Sequence, residues 1–265
     1  MEKPAEITLI PIRTKIQRDT FDLVGTILSE IELNGHAIRE GDIIVVSSKY
    51  VAMSEGRFVK LSTIRPTTKA RRLSTIFIMQ PELAELVLKE ADLIYGGVRG
   101  FALTVKDGVT APNAGVDRSN IFPGWAILHP KKPFEKAQAL REQIHKRTGN
   151  SVGILITDSR LMPTRIGTSG VSIAVSGFEP VVDDRGRKDL FGNTLKVTQR
   201  AIADNISSAA QLLMGEADER VPIVIARGLR MNLNSRRITK ASVVMPPSRC
   251  IYVRGLSKGI LMRKG

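Results

Sequence analysis

One sequence feature constrains the fold and the site of this chain most strongly: the pattern of a buried strand that ends in two oxygen-bearing side chains. The apolar run at residues 153–157 delivers Asp158 and Ser159 at its end, and an acidic run at residues 214–219 follows a helical stretch. Strand ends and glycine-rich turns are where a rigid scaffold presents its chemistry. Carboxylate and hydroxyl oxygens are the ligands that Mg²⁺ or Mn²⁺ prefers. The pattern therefore predicts a metal–phosphate site on a scaffold of strands and helices.

Apolar runs typical of strands alternate irregularly with stretches of helical spacing. Strands are predicted at residues 7–10, 43–46, 102–105 and 221–226, and helices at residues 24–31, from Pro81, at 134–144 and at 200–214. The Asp107-Gly108 pair predicts a hairpin turn. Because helices and strands mix irregularly and include a hairpin, the predicted fold class is α+β. The prolines of the HPKKP run at 129–133 predict a boundary, with an N-terminal subdomain at 1–130 and a C-terminal subdomain at 131–265.

Charge is distributed unevenly along the 265 residues, whose net charge is +14. From Arg220 to Gly265 there are eleven Lys or Arg residues and no Asp or Glu. Such a segment indicates either attraction of an anion, such as a nucleotide or an acidic metabolite, or a solvated basic face. Nucleic acid is disfavoured as a partner, because aromatic residues make up only 5% of the chain and no helix-turn-helix, zinc-finger or RNP signature occurs.

Cysteine usage and the hydropathy pattern bear on the compartment. The single cysteine, Cys250, excludes an internal disulfide and fits a reducing environment. The first fifteen residues contain no long apolar stretch typical of a secretory signal, and no run approaches the roughly 18 apolar residues of a membrane helix. These features predict a cytoplasmic protein without a membrane partner.

Three carboxylates stand out as candidate metal ligands, and each has an ordinary structural alternative. Asp117 lies in a polar loop where it could be a turn residue, and Glu216 could be a loop acid after a helix. Asp158 follows the buried strand, which is a common position for a ligand. Together with the Ser159 hydroxyl, the three carboxylates could hold two cations that bridge a triphosphate.

Other familiar site motifs are absent from the sequence. Glycines at 167, 170 and 177 could let backbone amides approach phosphate or could be turn glycines, but their spacing is not that of a P-loop or of a dinucleotide-binding fingerprint. The three histidines lack the spacing of a zinc site, and neither a nucleophile elbow nor a kinase signature occurs. The residues alone therefore indicate a phosphate-handling enzyme that uses hard divalent cations.

A set of ordered motifs spans most of residues 5–230. They are Asn113-Ala-Gly-Val-Asp-Arg-Ser-Asn120, Ile156-Thr-Asp-Ser159, Asp189-Leu-Phe-Gly192 with Leu195 and Thr198, Ala203-Asp204, and Leu212-Leu-Met-Gly-Glu216 with Arg227-Gly228. At these motifs the chain resembles the coenzyme F420-0:L-glutamate ligase family. The resemblance implies an α+β fold with two intimate subdomains that forms an intertwined homodimer. It also implies a ligase that uses GTP and Mn²⁺ or Mg²⁺ to join glutamate, by an amide bond, to the carboxylate of the deazaflavin precursor coenzyme F420-0, and that can add further γ-linked glutamates.

The resemblance further implies roles for individual residues. Asp117 and Asp158 resemble the ligands of one metal ion, and Ser159 with Glu216 resemble those of a second. The catalytic positions are Asp117, Asp158 and Arg165. The implied nucleotide-binding positions are Lys15, Ser47, Ser48, Lys49, Asn120, Met214, Gly215, Glu216, Ala217, Asp218, Glu219, Arg220 and Val221. In the implied chemistry the γ-phosphoryl group activates the acceptor carboxylate, and the glutamate amine then displaces phosphate from the acyl phosphate.

The chain departs from the family pattern at several positions. Residues 13–15 replace a Gly-Leu-Pro, Met53 stands where a nucleotide-contacting lysine is expected, Leu161-Met162 replaces Gly-Arg, and Asn205 replaces a glutamate. Either Lys15 or Lys49 restores the lost charge, or the nucleotide or acceptor differs.

Two other functions stay open at this point. One is a glutamate ligase of the same fold that acts on a folate, a pterin or another acceptor. The other is a basic binding protein, for example for RNA, that keeps the fold without the chemistry. The four predicted oxygen ligands argue against the latter, since a binding module needs no acidic metal site.

The basic residues Arg236, Arg237 and Lys240 are predicted to attract anionic substrates.

Overall fold

A computed structural model of the chain describes residues 6–257, and in this range helices and strands mix as predicted. The strands are β1 (Thr8–Ile12), β2 (Ile43–Ser47), β3 (Phe58–Lys60), β4 (Leu93–Val98), β5 (Phe101–Lys106), β6 (Val109–Pro112), β7 (Trp125–Ile127), β8 (Gly153–Leu161), β9 (Thr168–Ser176), β10 (Val181–Asp183), β11 (Gln199–Ala201) and β12 (Ile223–Arg227). The helices are α1 (Leu23–Leu33), α2 (Ser48–Ser54), α3 (Thr68–Phe77), α4 (Pro81–Glu90), α5 (Pro133–Thr148), α6 (Ile202–Met214) and α7 (Ile251–Ser257). Short 3-10 turns lie at Leu61–Thr63, Asn113–Gly115 and Lys240–Ser242. No helix within residues 6–257 is long and apolar enough to cross a membrane.

A five-stranded sheet with the order β1-β12-β2-β8-β9 forms the centre of the molecule. Strands β2 and β8 are parallel, and the other neighbours are antiparallel. Successive side chains of a strand point to opposite faces, so Ile44 and Val46 join the core formed with α1 and α5, whereas Ile43 and Val45 join the core formed with α6. Because both faces are covered, the strands read as continuous apolar runs.

A second, smaller core lies between the sheet β4-β5-β6 and the helices α3 and α4. The predicted hairpin is confirmed: β5 and β6 pair across a turn in which Asp107 has φ 51° and Gly108 has φ 83°. Positive φ at both positions is what a two-residue hairpin turn requires, and it explains the Asp-Gly pair. The predicted helix start at Pro81 is also confirmed, since proline occupies the first turn of α4.

The ends of two central strands determine where polar side chains gather. Ser47 ends β2 and lies beside Thr157 of β8. The expectation that β8 ends before Asp158 is wrong, because pairing with β9 carries the strand on to Leu161. Asp158 nevertheless lies just beyond the carboxyl end of β2. In β9 the register shifts at Ile173, and bulges of this kind re-aim side chains next to functional sites.

The central sheet takes strands from both sides of residue 130. Strands β1 and β2 precede that position, and β8, β9 and β12 follow it. The sheet therefore crosses the predicted boundary, and the division into two subdomains stays a prediction. The segment after β12 packs back over the molecule: Ile238 is buried in the core below α6, and Val244 and Lys240 cover Gly108 of the hairpin turn.

Candidate functional site

A cavity of about 800 Å³ opens at the edge of the central sheet where β2 ends. Its walls come from the loop after β1, the first turns of α2, residues 117–123, residues 157–159 and residues 211–222. Pockets that hold nucleotides and other small molecules fall in this range of volume. The cavity is therefore large enough for a nucleotide together with part of a second substrate.

The cavity brings together most of the residues that the sequence singled out. Ser48 and Arg165 are the two predicted site residues that do not line it among the described residues. Those that do line it are Lys15, Ser47, Lys49, Asp117, Asn120, Asp158, Ser159, Met214, Gly215, Glu216, Ala217, Asp218, Glu219, Arg220 and Val221.

Asp158 is held rigidly on β8 by two hydrogen bonds to its separate oxygens. The Ser48 hydroxyl donates to Oδ2 at 2.9 Å, and the Ser159 amide donates to Oδ1 at 2.8 Å. Burial raises the pKa of Asp158, while the nearby His129 and the two hydrogen bonds favour the ionised form. Ser48 thus belongs to the site through Asp158, although its side chain does not face the cavity.

His129 lies behind Asp158 and was not singled out by the sequence. Its side chain is buried, and burial lowers the pKa of His129, with Asp158 and Asp107 opposing that shift. Its carbonyl oxygen accepts a hydrogen bond from Arg57 Nε at 3.0 Å. A histidine in an apolar run carries no spacing signal, so no motif could place it beside an aspartate that lies 29 positions later.

Asp117 is bound to the lysine of α2. Lys49 Nζ lies 2.6 Å from Asp117 Oδ2 and also donates to the Ser119 hydroxyl at 2.8 Å. Burial alone raises the pKa of Asp117, but Lys49 and the hydrogen bonds from Ser119 outweigh it and hold the pKa below its ordinary value. The carboxylate is therefore ionised, and a cation already neutralises it.

Two loops meet across the cavity and bring the acidic run to it. Asn120 Nδ2 donates to the Ala217 carbonyl at 2.6 Å, and Thr14 donates its amide to the Arg220 carbonyl at 2.9 Å. The Glu216 carboxylate accepts hydrogen bonds from Thr168 and Gln211. The loop after α6 is thereby tied to the Asp117 loop, to β9 and to the chain after β1.

The predicted metal ligands have suitable chemistry but are not gathered around one point. Asp117, Asp158, Ser159 and Glu216 line the same cavity and offer the hard oxygen atoms that Mg²⁺ and Mn²⁺ prefer. Within residues 6–257, however, no three Asp, Glu, His or Cys side chains lie close enough to hold a metal ion together. Asp117 is turned towards Lys49, and Glu216 towards Gln211 and Thr168. A cation at Asp117 would have to replace the Lys49 ammonium group.

Several cavity residues escaped sequence reasoning. Ile16, Arg18 and Phe122 line the cavity, and none of them belongs to a recognisable motif. The chain after β1 reaches the site because β1 pairs with β12, whose preceding loop carries the acidic run. That pairing joins residues more than 200 positions apart, and no local signal in the sequence encodes it.

Three features that the sequence or the family resemblance associated with the site lie outside the cavity: three glycines, the described part of the basic segment after β12, and Arg165. Gly167 and Gly177 adopt positive φ in turns, and Gly170 lies so close to the backbone at Ser207 that a Cβ atom would overlap it. These glycines therefore serve turns and the packing of α6 on β9, and none of the three lines the cavity. The described part of the basic segment after β12 does not line the cavity either. Arg165 lies in the exposed turn between β8 and β9.

Comparisons with known proteins agree on one family. The family model of F420-0:gamma-glutamyl ligase matches residues 11–228. A coenzyme F420:L-glutamate ligase of Methanopyrus kandleri is 36% identical over 92% of this chain and 95% of the relative. Proteins of the same name from Methanocaldococcus jannaschii and Archaeoglobus fulgidus are 42% and 34% identical, over 76% and 78% of this chain and 80% and 83% of the relatives. The matched residues include every wall of the cavity.

Proposed function

The chain belongs to the F420-0:gamma-glutamyl ligase family, and from that membership we propose that it joins L-glutamate to the carboxylate of coenzyme F420-0. It is an enzyme of the acid–amino-acid ligase class. The observation that carries the proposal is the cavity, whose walls include the Asp158, Asp117 and Glu216 carboxylates as well as Lys15 and Lys49. A site that must bind a triphosphate together with divalent cations needs charges of both signs.

We propose further that GTP drives the reaction. A carboxylate is a poor acylating agent, so the acceptor carboxylate takes the γ-phosphoryl group from GTP and GDP leaves. The glutamate amine then displaces phosphate from the acyl phosphate and loses a proton as the amide forms. If Asp117 held a divalent cation, Lys49 would be released from its pair with that carboxylate and could neutralise phosphate oxygens. Two cations held by Asp117, Asp158, Ser159 and Glu216 would offset the charge of the triphosphate. The protein's own contribution is to orient these groups in one cavity.

A direct assay tests the proposed function. The purified protein is incubated with Mn²⁺ or Mg²⁺, L-glutamate, GTP or ATP, and one acceptor among coenzyme F420-0, a folate and a pterin. Mass spectrometry identifies the glutamylated product, and released phosphate is counted against it. We expect one phosphate per amide bond with coenzyme F420-0 and GTP. Ligation of only the folate or the pterin would assign another acceptor, and loss of all ligation would contradict the proposed enzyme.

We predict that Met53→Lys tightens GTP binding about tenfold. Met53 lies one helical turn after Lys49 on α2 and lines the cavity, so a lysine there would reach the same space. A charge-assisted hydrogen bond contributes roughly 1.5–3 kcal/mol, and repulsion from Lys49 subtracts from that. Calorimetric titration with GTP measures the change, and Met245→Lys, on an exposed methionine outside the cavity, is the matched control. Unchanged affinity with strong GTP selectivity in the wild type would show that other residues already supply the contact.

We also propose that the enzyme is a homodimer whose subunits meet at the arm formed by residues 181–201. The arm has a defined shape, because β10 pairs with β11 and the Asp184 carboxylate pairs with Arg187 and Arg200. Its apolar side chains have no core of their own: Leu190 is 100% exposed and Phe191 is 90% exposed. Apolar groups on a preformed arm gain from burial against a second copy of the chain.

For the dimer, the expected result is that Leu190→Asp combined with Phe191→Asp gives a monomer. Burying a charge in an apolar contact is costly, so two aspartates should abolish association. Light scattering after gel filtration measures the mass. Leu33→Asp, at the exposed end of α1, carries the same change on an unrelated surface and should leave the dimer intact. A wild-type protein that is monomeric at micromolar concentration would refute the proposed assembly.

A further inference from the structure

A second, much smaller chamber lies behind Asp158, on the side away from the large cavity. Its volume is about 10 Å³, close to the space that one water molecule needs. Asp158 and Ser159 line both spaces, whereas His129, Arg160 and Lys106 line only the chamber. Asp158 therefore separates the proposed substrate cavity from a small interior space, whose lining combines these charged and polar groups with apolar side chains of β6 and β9.

Two side-chain nitrogen atoms at this chamber are buried and have no hydrogen-bond partner among the described residues. They are His129 Nδ1 and Arg160 Nε. A buried polar group that stays unsatisfied costs the full free energy of its desolvation, so native proteins seldom leave two together. Neither group can easily turn away. The His129 ring packs against Gly115, where a Cβ atom would lie 3.0 Å from Cδ2, and Arg160 Nη2 lies 3.4 Å from Asp204 Oδ2.

We propose that one ordered water molecule occupies this chamber and joins His129, Arg160 and Asp158. A water can accept a hydrogen bond from Arg160 Nε and donate its two protons to His129 Nδ1 and to the Asp158 carboxylate. Three partners are the usual number for a buried water. His129 is then a positioning residue. Through the water it holds the Asp158 carboxylate from the chamber side, while the same carboxylate also faces the cavity.

The charges around the chamber favour a neutral occupant. Lys106 Nζ lies 3.5 Å from Glu90 and 3.9 Å from Asp107, and Arg160 is paired with Asp204, so these cations already have acidic partners. A monovalent cation would meet the Lys106 and Arg160 charges at close range, and a halide would meet the Asp158 carboxylate. A water molecule has this size and is repelled neither by the two cations nor by the Asp158 carboxylate.

The consequence concerns the cation proposed at Asp158 and therefore rests on the proposed function. The hydrogen bond from the water already restricts the rotation of the Asp158 carboxylate. Binding a metal ion then costs less conformational entropy, which raises the affinity for the ion. Residues that orient a metal ligand typically change metal affinity about 10- to 100-fold when they are removed. His129 should act in this way on Mn²⁺ without touching it.

A crystal structure of the wild-type protein, without metal or nucleotide, tests the chamber itself. We expect a well-ordered water within hydrogen-bond distance of His129 Nδ1, Arg160 Nε and Asp158. Crystals grown in bromide distinguish a halide by its anomalous signal. A halide, a cation, or a chamber without density would each overturn the proposal, whatever the enzyme's activity.

Two substitutions test the positioning role in the intact protein. His129→Asn places an amide oxygen near the position of Nδ1 and keeps an acceptor, whereas His129→Leu keeps the bulk but removes it. We expect His129→Leu to weaken Mn²⁺ binding at least about tenfold in calorimetry without nucleotide, and His129→Asn to stay within about threefold of wild type. Equal weakening in both variants would show a merely structural role and overturn the positioning claim. If the wild type binds no Mn²⁺, the proposed metal site fails, while the crystallographic test still decides the water.

Discussion

We expect replacement of Asp158 with asparagine to lower the kcat of the proposed glutamate ligation at least ~100-fold, in line with the losses seen when a key charge-stabilising group is removed. The substitution keeps the size of the side chain and removes its negative charge. The new amide could accept the Ser159 amide on its carbonyl oxygen and donate its NH2 group to the Ser48 hydroxyl, so the fold should persist. What is lost is the negative charge of the proposed metal ligand, in a buried position where water compensates poorly for it.

The measurement follows product formation at saturating GTP and glutamate over a range of Mn²⁺ concentrations. Glu32→Gln, on the exposed face of α1 and away from the cavity, makes the equivalent chemical change and should retain the wild-type rate. Thermal denaturation of both variants checks that they fold. A near-normal rate for Asp158→Asn at low Mn²⁺ would remove Asp158 from the proposed metal site.

Local signals in the sequence predicted individual elements well. The Asp107-Gly108 pair specified a hairpin because few residues adopt positive φ at both turn positions, and Pro81 marked a helix start because its missing amide is not needed there. The apolar run at 43–46 became a fully buried strand, and of the run at 221–226 the residues from Ile223 on did so. Each of these predictions depends on the physical chemistry of a few consecutive residues.

The arrangement of the strands could not be predicted in the same way. Placing β12 between β1 and β2 depends on pairings between distant segments, and any apolar strand can pair with several others. The extension of β8 to Leu161 has the same origin, since residues 158–161 are polar enough to read as a loop until β9 pairs with them. Consequently Ile16, Arg18 and Phe122 could not be assigned to the cavity.

The predicted site residues divide into those that line the cavity and those that serve the fold. Asp158 and Asp117 do line one cavity, but Gly170 allows α6 to pack on β9. Asp204 of the Ala203-Asp204 motif accepts the Ser172 amide at 2.9 Å and pairs with Arg160, which supports the bulged strand behind Asp158. A family motif does not by itself reveal whether its residues line the cavity or support the fold.

The Arg227-Gly228 motif illustrates the structural case and leads to the second large expected effect. Arg227 ends β12, and its guanidinium makes a two-pronged contact with Asp42, through Nε at 2.8 Å and Nη2 at 2.7 Å. Asp42 is 1% exposed and precedes β2. Gly228 follows at φ 81°, where a Cβ atom would collide with the Glu6 carbonyl. The motif therefore joins β12 to its neighbours and lies away from the cavity.

We predict that Arg227→Ala lowers the free energy of unfolding by about 3–5 kcal/mol, because it leaves the buried Asp42 carboxylate without its cation. Urea denaturation measures the loss. Arg236→Ala breaks the exposed pair with Glu179, whose side chains are 68% and 41% accessible, and should cost less than ~1 kcal/mol. Equal losses would mean that solvent reaches Asp42 in the variant.

Since small domains are stable by only about 5–15 kcal/mol, a loss of the expected size would leave much of the Arg227 variant unfolded on mild heating. Its folded fraction should ligate glutamate at the wild-type rate, which separates this motif from the chemistry of Asp158.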